Sequence, residues 1–344
     1  MATDNLATSP SPVADQPQRN LRWGFLQRLA SALLHSREAS IALAGIILVV
    51  YFQSTAPAFL SASNVANLAE YTATTAIIAA GEVMVVICSE IDLSAGMVFA
   101  LVPFVMFDVH EAGAPYWIAI LAGLCVAALV GFINGVITVI LGIPSFITTL
   151  GTLFIINGVT LTISGGFPVQ PGADKLLVAL VGGNAVSQLL WAVVITIVFQ
   201  FVLTKTRWGL HTIAAGGNII GAEEVGIRIR QIKIGNFMLC SVLAGFAGIL
   251  DTFRIGSIDP LAGGTDIMFM AVASSVIGGT LLTGGSGTII GAFFGAAVLG
   301  ILKDGFTLSG VSAYTFDMIL GGAILITMLI NVHLSRLRAA GKGQ

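Results

Sequence analysis

Charge is what this chain has least of. Asp, Glu, Lys and Arg make up 9 % of its 344 residues, where soluble domains carry about 25 %. A water-soluble fold lacks the means to cover itself at that density, so the balance fits burial in lipid. The net charge of −2 leaves no basic field to recruit phosphates, which argues against a nucleic-acid partner. Cysteine is scarce too: Cys88, Cys125 and Cys240 lie in apolar runs with no CxxC spacing, and read as small core residues rather than metal ligands or disulfides. The four histidines (His35, His110, His211 and His333) are scattered, and no HExxH or nucleophile elbow occurs, so enzyme chemistry is not expected. No GxxxxGK[ST] is present either. The Gly-rich LLTGGSGT at 281–288 is therefore not a nucleotide cradle, and no cofactor is expected in this chain. No cleavable signal peptide is visible, because roughly forty mostly polar residues precede the first long apolar run.

What the chain has is apolar length. Hydrophobic residues reach 56 % and mean hydropathy is +0.97. Runs near the roughly twenty residues that a bilayer needs fall at 41–59, 70–88, 94–108, 117–140, 145–164, 188–204, 234–252, 266–284, 287–303 and 316–332. The fold class read from them is all-α, a polytopic membrane helix bundle of about ten transmembrane helices. Residues 1–40 form an N-terminal tail. Its first part is rich in Ser, Pro, Asp and Gln and expected to be disordered. Over Arg19–Arg37, Leu21, Phe25, Leu29 and Leu33 recur every four positions between basic residues, the pattern of a helix lying on the membrane surface. A membrane domain spans 41–332, and 333–344 is a C-terminal tail.

Orientation follows from the basic residues. With ten spans and both termini in the cytoplasm, Arg19, Arg22, Arg28, Arg37, Lys205, Arg207, Arg228, Arg230, Lys233, Arg336, Arg338 and Lys342 lie inside, and only Lys175, Arg254 and Lys303 outside. That asymmetry obeys the positive-inside rule. It also puts the one substantial polar stretch, residues 205–233, on the cytoplasmic side. The outer loops carry Asp108, Glu111, Asp174, Asp259, Asp266 and Asp304, which could meet a soluble partner.

Within the spans, Gly287, Gly291 and Gly295 stand four apart, as do Gly131 and Gly135, so each set lines one helix face for close packing. Helical regularity breaks at 89–96, where Glu90 and Asp92 interrupt apolar segments. Ser94 and Gly96 are fit to start a helix, and Asp92 either caps it or belongs to a gate. A second break is Gly142-Ile143-Pro144-Ser145, where Pro144 ends one helix and Ser145 begins the next. The segment after it carries Thr148, Thr149, Thr152 and Asn157. Two readings stand side by side: a stripe suited to a polyhydroxylated solute, or hydroxyls that only bond neighbouring helices. Glu82, inside the second span, is an isolated ionisable group at costly depth. Asp251 with Arg254, and Lys303 with Asp304, sit at span ends and read as interface residues.

Five segments carry a resemblance: IDLSAG (91–96), GIPSFITTLGTLFIINGV (142–159), TRWGLHTIAAGGNIIGAEEVGI (206–227), LAGFAGIL (243–250) and VIGGTLLTGGSGTIIGAFFGA (276–296). In this order the chain resembles the permease subunit of ATP-binding-cassette importers for ribose, xylose, arabinose and similar monosaccharides. The resemblance implies a non-catalytic transport subunit in a bacterial cytoplasmic (inner) membrane. Implied partners are a cytoplasmic ATPase that binds ATP and Mg, a periplasmic or extracellular sugar-binding protein, a second permease copy and lipid. It also implies a short coupling helix in the loop holding Gly216, Gly217, Asn218, Ala222, Glu223, Glu224, Gly226 and Ile227. The residues agree: Ile219, Glu223 and Ile227 recur at helical spacing, with Gly216 and Gly217 as the entry and Gly226 as the exit. Two positions depart from the family pattern. Glu90 stands where a glycine often precedes IDLS, and Met268 where a glutamate is often found. The alternative reading is an ion- or proton-coupled secondary transporter, which would need coupling sites at mid-membrane on broken helices.

Overall fold

In the computed structural model, residues 37–312 are described together with Thr315, Met318, Ile319, Gly321, Gly322 and Leu325. The surface helix expected over Arg19–Arg37 and the tenth span therefore lie outside the described residues, apart from Arg37 and those scattered positions. The architecture is all helical: α1 (Arg37–Thr55), α2 (Ala62–Ile87), α3 (Ala95–Glu111), α4 (Tyr116–Val139), α5 (Ser145–Ser164), α6 (Lys175–Val181), α7 (Ala185–Lys205), α8 (Arg207–Gly217), α9 (Ile219–Glu224), α10 (Ile229–Ile255), α11 (Gly264–Ile277) and α12 (Ile289–Leu308). Among the described residues the only extended pairing is one bridge, Val169 to Ile258.

Seven of these helices are long and apolar enough to cross a membrane: α1, α2, α4, α5, α7, α10 and α12. One expected span is shorter than read: α11 has 14 residues where 266–284 was expected. α3, read over 94–108, runs on to Glu111 and reaches 17 residues, so both stay below the roughly twenty a straight crossing needs. Polar residues set the boundaries. Ser61 caps α2 through the Asn64 N–H, Asn184 caps α7 through Ser187, and Thr288 caps α12 through Gly291. Each side chain satisfies an N–H that the first turn leaves without a partner. Pro115 and Pro144 stand at the N-cap positions of α4 and α5.

The core is organised around α2, which packs against α7, α10, α11 and α12. Its side chains from Ala73 to Ile87 are buried without interruption, whereas α4, α5 and α7 bury little more than one face. Glycine makes the closest approaches. A Cβ at Gly131 would fall on the Phe237 carbonyl, and one at Gly135 on the backbone of Ile234, so α4 lies flat on α10. Likewise Gly291 meets the Gly278 carbonyl and Gly295 the Ser274 carbonyl, seating α12 on α11 and the turn after it, while Gly287 faces Thr280 and Ile87. Pro103 lies inside α3, where it has no N–H to offer the Phe99 carbonyl. Gly248 of α10 packs directly against that carbonyl. Cys88 and Cys240 are buried as expected, but Cys125 is exposed, because it sits on the outward face of α4.

Candidate coupling surface and polar pathway

The 205–233 stretch is more helical than a loop. Thr206 caps α8 through the Gly209 N–H, and Asn218 caps α9 through Gly221. Gly216 and Gly217 are thus the last residues of α8 rather than a sharp entry to the coupling helix. Asn218 makes the corner, and Gly226 leaves α9 with φ of +82°. Ile227 lies beyond the end of α9, so the helical spacing read from Ile219 and Glu223 does not extend to it. Ala222 faces inward, packed with Cys88, Ala215, Ile229 and Ile232, and Ile227 packs on this small core. Glu223 and Glu224 point away from it and are exposed. So are Ile220 at 72 % and Val225 at 76 %. α9 thus presents an acidic and apolar surface that nothing among the described residues covers.

Beneath that surface the attachment is rigid. A Cβ at Gly216 would coincide with the Ile87 carbonyl at the end of α2 and crowd the Gly285 N–H. Gly285 itself donates to the Ile87 carbonyl at 2.8 Å, and Ser89 Oγ donates to the Thr283 carbonyl at 2.9 Å. The Gly-rich turn at 281–288 is therefore a packing joint between α8, the end of α2 and the start of α12. Gln200 of α7 completes the joint: its Oε1 accepts from the Ile289 N–H at 2.9 Å and the Ile290 N–H at 3.2 Å. A second anchor is Asn236 of α10. It accepts from Trp208 Nε1 at 2.8 Å and donates to the Met84 carbonyl at 3.0 Å and to Thr212 Oγ1 at 3.2 Å. Lys233 pairs with Glu90 at 2.5 Å, with both side chains largely enclosed. The residue where the chain departs from the family glycine thus ties the start of α10 to the break after α2.

That break opens a polar thread through the bundle. Asp92 is fully buried, and its Oδ1 accepts from the Ser94 N–H at 3.0 Å and Ser94 Oγ at 2.6 Å. Asn134 Nδ2 donates to Ser94 Oγ at 2.8 Å, and Thr152 Oγ1 donates to Asn134 Oδ1 at 2.7 Å. Ser241 Oγ reaches Asp92 Oδ2 at 3.5 Å. Asp92 thus holds the turn into α3 through Ser94, and Ser94 precedes that helix without a side-chain cap bond. Ser145 Oγ accepts from the Ile91 N–H at 3.2 Å, and Thr149 Oγ1 donates to the Ser145 carbonyl at 2.7 Å. Thr148 is buried with its hydroxyl unpaired among the described residues, and Asn157 is half-buried further along α5. Glu82 is fully buried beside this thread, near Cys240 Sγ at 3.6 Å. Asn134, Ser241, Asn236, Trp208 and Gln200 were not singled out from the sequence. For Asn134, Gln200, Asn236 and Ser241 a polar residue inside an apolar run is the signal that could have found them.

Seven membrane-length helices among the described residues, with an enclosed central helix and a polar thread, define a multi-pass membrane protein. The branched-chain amino acid transport system / permease component family matches residues 64–329. The chain belongs to that permease family. It is 35 % identical over 310 residues to a xylose/arabinose import permease protein of Sulfolobus acidocaldarius, covering 87 % of this chain and 86 % of that protein. It is 33 % identical over 307 residues to a ribose import permease protein of Escherichia coli K12, covering 87 % and 94 %. An autoinducer 2 import system permease protein of Salmonella choleraesuis is 33 % identical over 309 residues, covering 89 % and 88 %. No solved structure matches the chain.

Proposed function

We propose that this chain is the membrane-spanning permease subunit of an ATP-binding-cassette importer for a monosaccharide in a bacterial cytoplasmic membrane. Several relatives are named for import of xylose, arabinose, ribose or allose. The observation that carries the mechanism is the uncovered surface of α9 joined rigidly to the end of α2. On this reading a separate ATPase, which binds ATP and Mg, docks on Glu223, Glu224, Ile220 and Val225. Its closure pushes α8 and α9, and the joint at Gly216, Gly285 and Ile87 passes the displacement to the 88–94 break. Two copies of the chain enclose the pathway, a sugar-binding protein delivers solute to the opposite face, and ligands bias one of two conformations. Ten spans with both termini in the cytoplasm complete the topology. Asp92, Ser94, Thr149 and Thr152 act as its hinge, because their bonds are spent inside the protein. Thr148 and Asn157 keep polar atoms outside that network.

The reading is tested with Glu223→Lys and Glu224→Lys together, in proteoliposomes holding the assembled importer. The expected result is ATP-driven uptake reduced at least about tenfold, as loss of paired charges at an interface requires, with the purified permease still folded. Uptake at the parental rate would remove α9 from the mechanism. An ion- or proton-coupled carrier remains the second reading, resting on Glu82, and ion-gradient uptake by this chain alone would favour it.

A further inference from the structure

The end of the bundle remote from α9 holds a cavity of about 180 Å³. It lies where the first half of α2 and the start of α11 meet the last turns of α10 and α12, about 40 Å along α10 from the coupling surface. A water needs only about 10–15 Å³ of such space, so the cavity admits several waters or one small solute. Its lining differs from the rest of the bundle, in bringing together Glu70, Tyr71, Asp251, Arg254, Asp266 and Lys303. Arg254 is clamped in place, with Nη2 at 2.7 Å from Asp251 and Nη1 at 3.3 Å from Glu70. Lys303 Nζ stands 4.8 Å above the Tyr71 ring. Among the described residues neither Lys303 nor Asp266 has an ion-pair partner.

The geometry points to this cavity as a solute-binding site for an uncharged polyhydroxylated molecule, a monosaccharide, entering from the face opposite the ATPase surface. Three carboxylates and two cations leave one surplus negative charge, which disfavours anionic solutes such as sugar phosphates. A neutral polyol suits the mixture, because each hydroxyl both donates and accepts. Carboxylates accept hydrogen bonds from its hydroxyls, and the Arg254 and Lys303 N–H groups donate to its lone pairs. Arg254, held by Asp251 through Nε and Nη2 and by Glu70 through Nη1, keeps its remaining N–H groups for hydroxyls and pays little ordering entropy when they bond. Tyr71 adds a flat apolar face on one wall, and the polar groups fix orientation, the usual division of labour in small-molecule sites. The site is distinct from the polar thread at Asp92, whose donors and acceptors already serve one another. It rests on the importer reading but supplies what that reading lacks, a place in this chain where the sugar is touched.

The experiment uses the full chain in lipid nanodiscs with a diazirine-bearing pentose as photoprobe and D-xylose or D-ribose as competitor. Labelling competed by the free sugar is expected in the peptides carrying Glu70–Thr75, Asp251–Arg254, Asp266 and Lys303. Asp266→Asn and Lys303→Gln alter groups with no ion pair to break, so both should fold, and each should reduce competed labelling about tenfold. Label concentrated on α5 or the 88–94 break, label insensitive to free sugar, or label displaced by a polycation instead overturns the site. ATP-driven uptake by the unaltered importer is measured in parallel. Uptake without cavity labelling sinks the cavity alone, whereas a chain that neither imports nor labels sinks both.

Discussion

Gly216 shows how much one hydrogen can carry. Its Cα lies against the Ile87 carbonyl, with the Gly285 N–H sharing the same oxygen, so any β-carbon there must displace backbone on two elements. Gly151 on α5 is a natural control, since a Cβ there meets nothing within 4 Å. Gly216→Ala is expected to lower the stability of the purified protein by about 1–3 kcal/mol, the range for overpacking, and to depress uptake. Gly151→Ala should leave stability level or raise it by under about 1 kcal/mol, the helix-propensity difference. Thermal unfolding in one detergent decides both. Two equal losses would mean that backbone contact at Gly216 is not what makes it special.

Between elements, α10 is tied to the break after α2 by the contact of Ser241 with Asp92 and by an ion pair, Lys233 with Glu90. Both side chains are mostly enclosed, so the pair is shielded from water that would weaken it at a surface. In a double-mutant cycle with Glu90→Gln and Lys233→Met, unfolding is expected to show a coupling energy of about 1–2 kcal/mol. Additive losses would show that the two groups do not communicate. The break itself was legible from composition, since Glu90, Asp92 and Ser94 interrupt an apolar run, and so were the glycine stripes, whose spacing reports a helix face directly. What the break is made of was not. Its bonds reach Asn134, 40 positions away, and Ser241, 149 positions from Asp92, and no local pattern encodes which distant polar residue will arrive. The turn at 281–288 was hidden for the same reason: its glycines answer to Gly216 and Ile87, not to each other. α11 read longer in the sequence than it is, because apolar residues after Ile277 extended its hydropathy beyond the last helical turn, whereas α3 runs past the 94–108 read for it, to Glu111.

For the whole molecule, the long helices sort chemistry to two ends. The acidic and apolar face of α9 lies with the start of α10, and the charged cavity with its finish. Single cysteines placed at Glu223 and at Leu261, which is 72 % exposed, in a background carrying Cys125→Ser, should react with a membrane-impermeant maleimide from opposite sides of intact cells and inverted vesicles. Labelling of both from one side would contradict the bundle's polarity and the assignment of its faces.

The enclosure of α2 has a consequence for how the protein is made. Its most apolar window is 89 % buried, with a hydropathy of 1.4, below those of α4 and α7, and it brings Glu82 and several threonines into the interior. A segment of that composition is a reluctant guest of lipid. It emerges from the ribosome long before α10, α11 and α12, the neighbours that shield it. During synthesis α2 must wait half-accommodated until the last third of the chain arrives, so nascent chains truncated before α10 are the ones a membrane protease should recognise first.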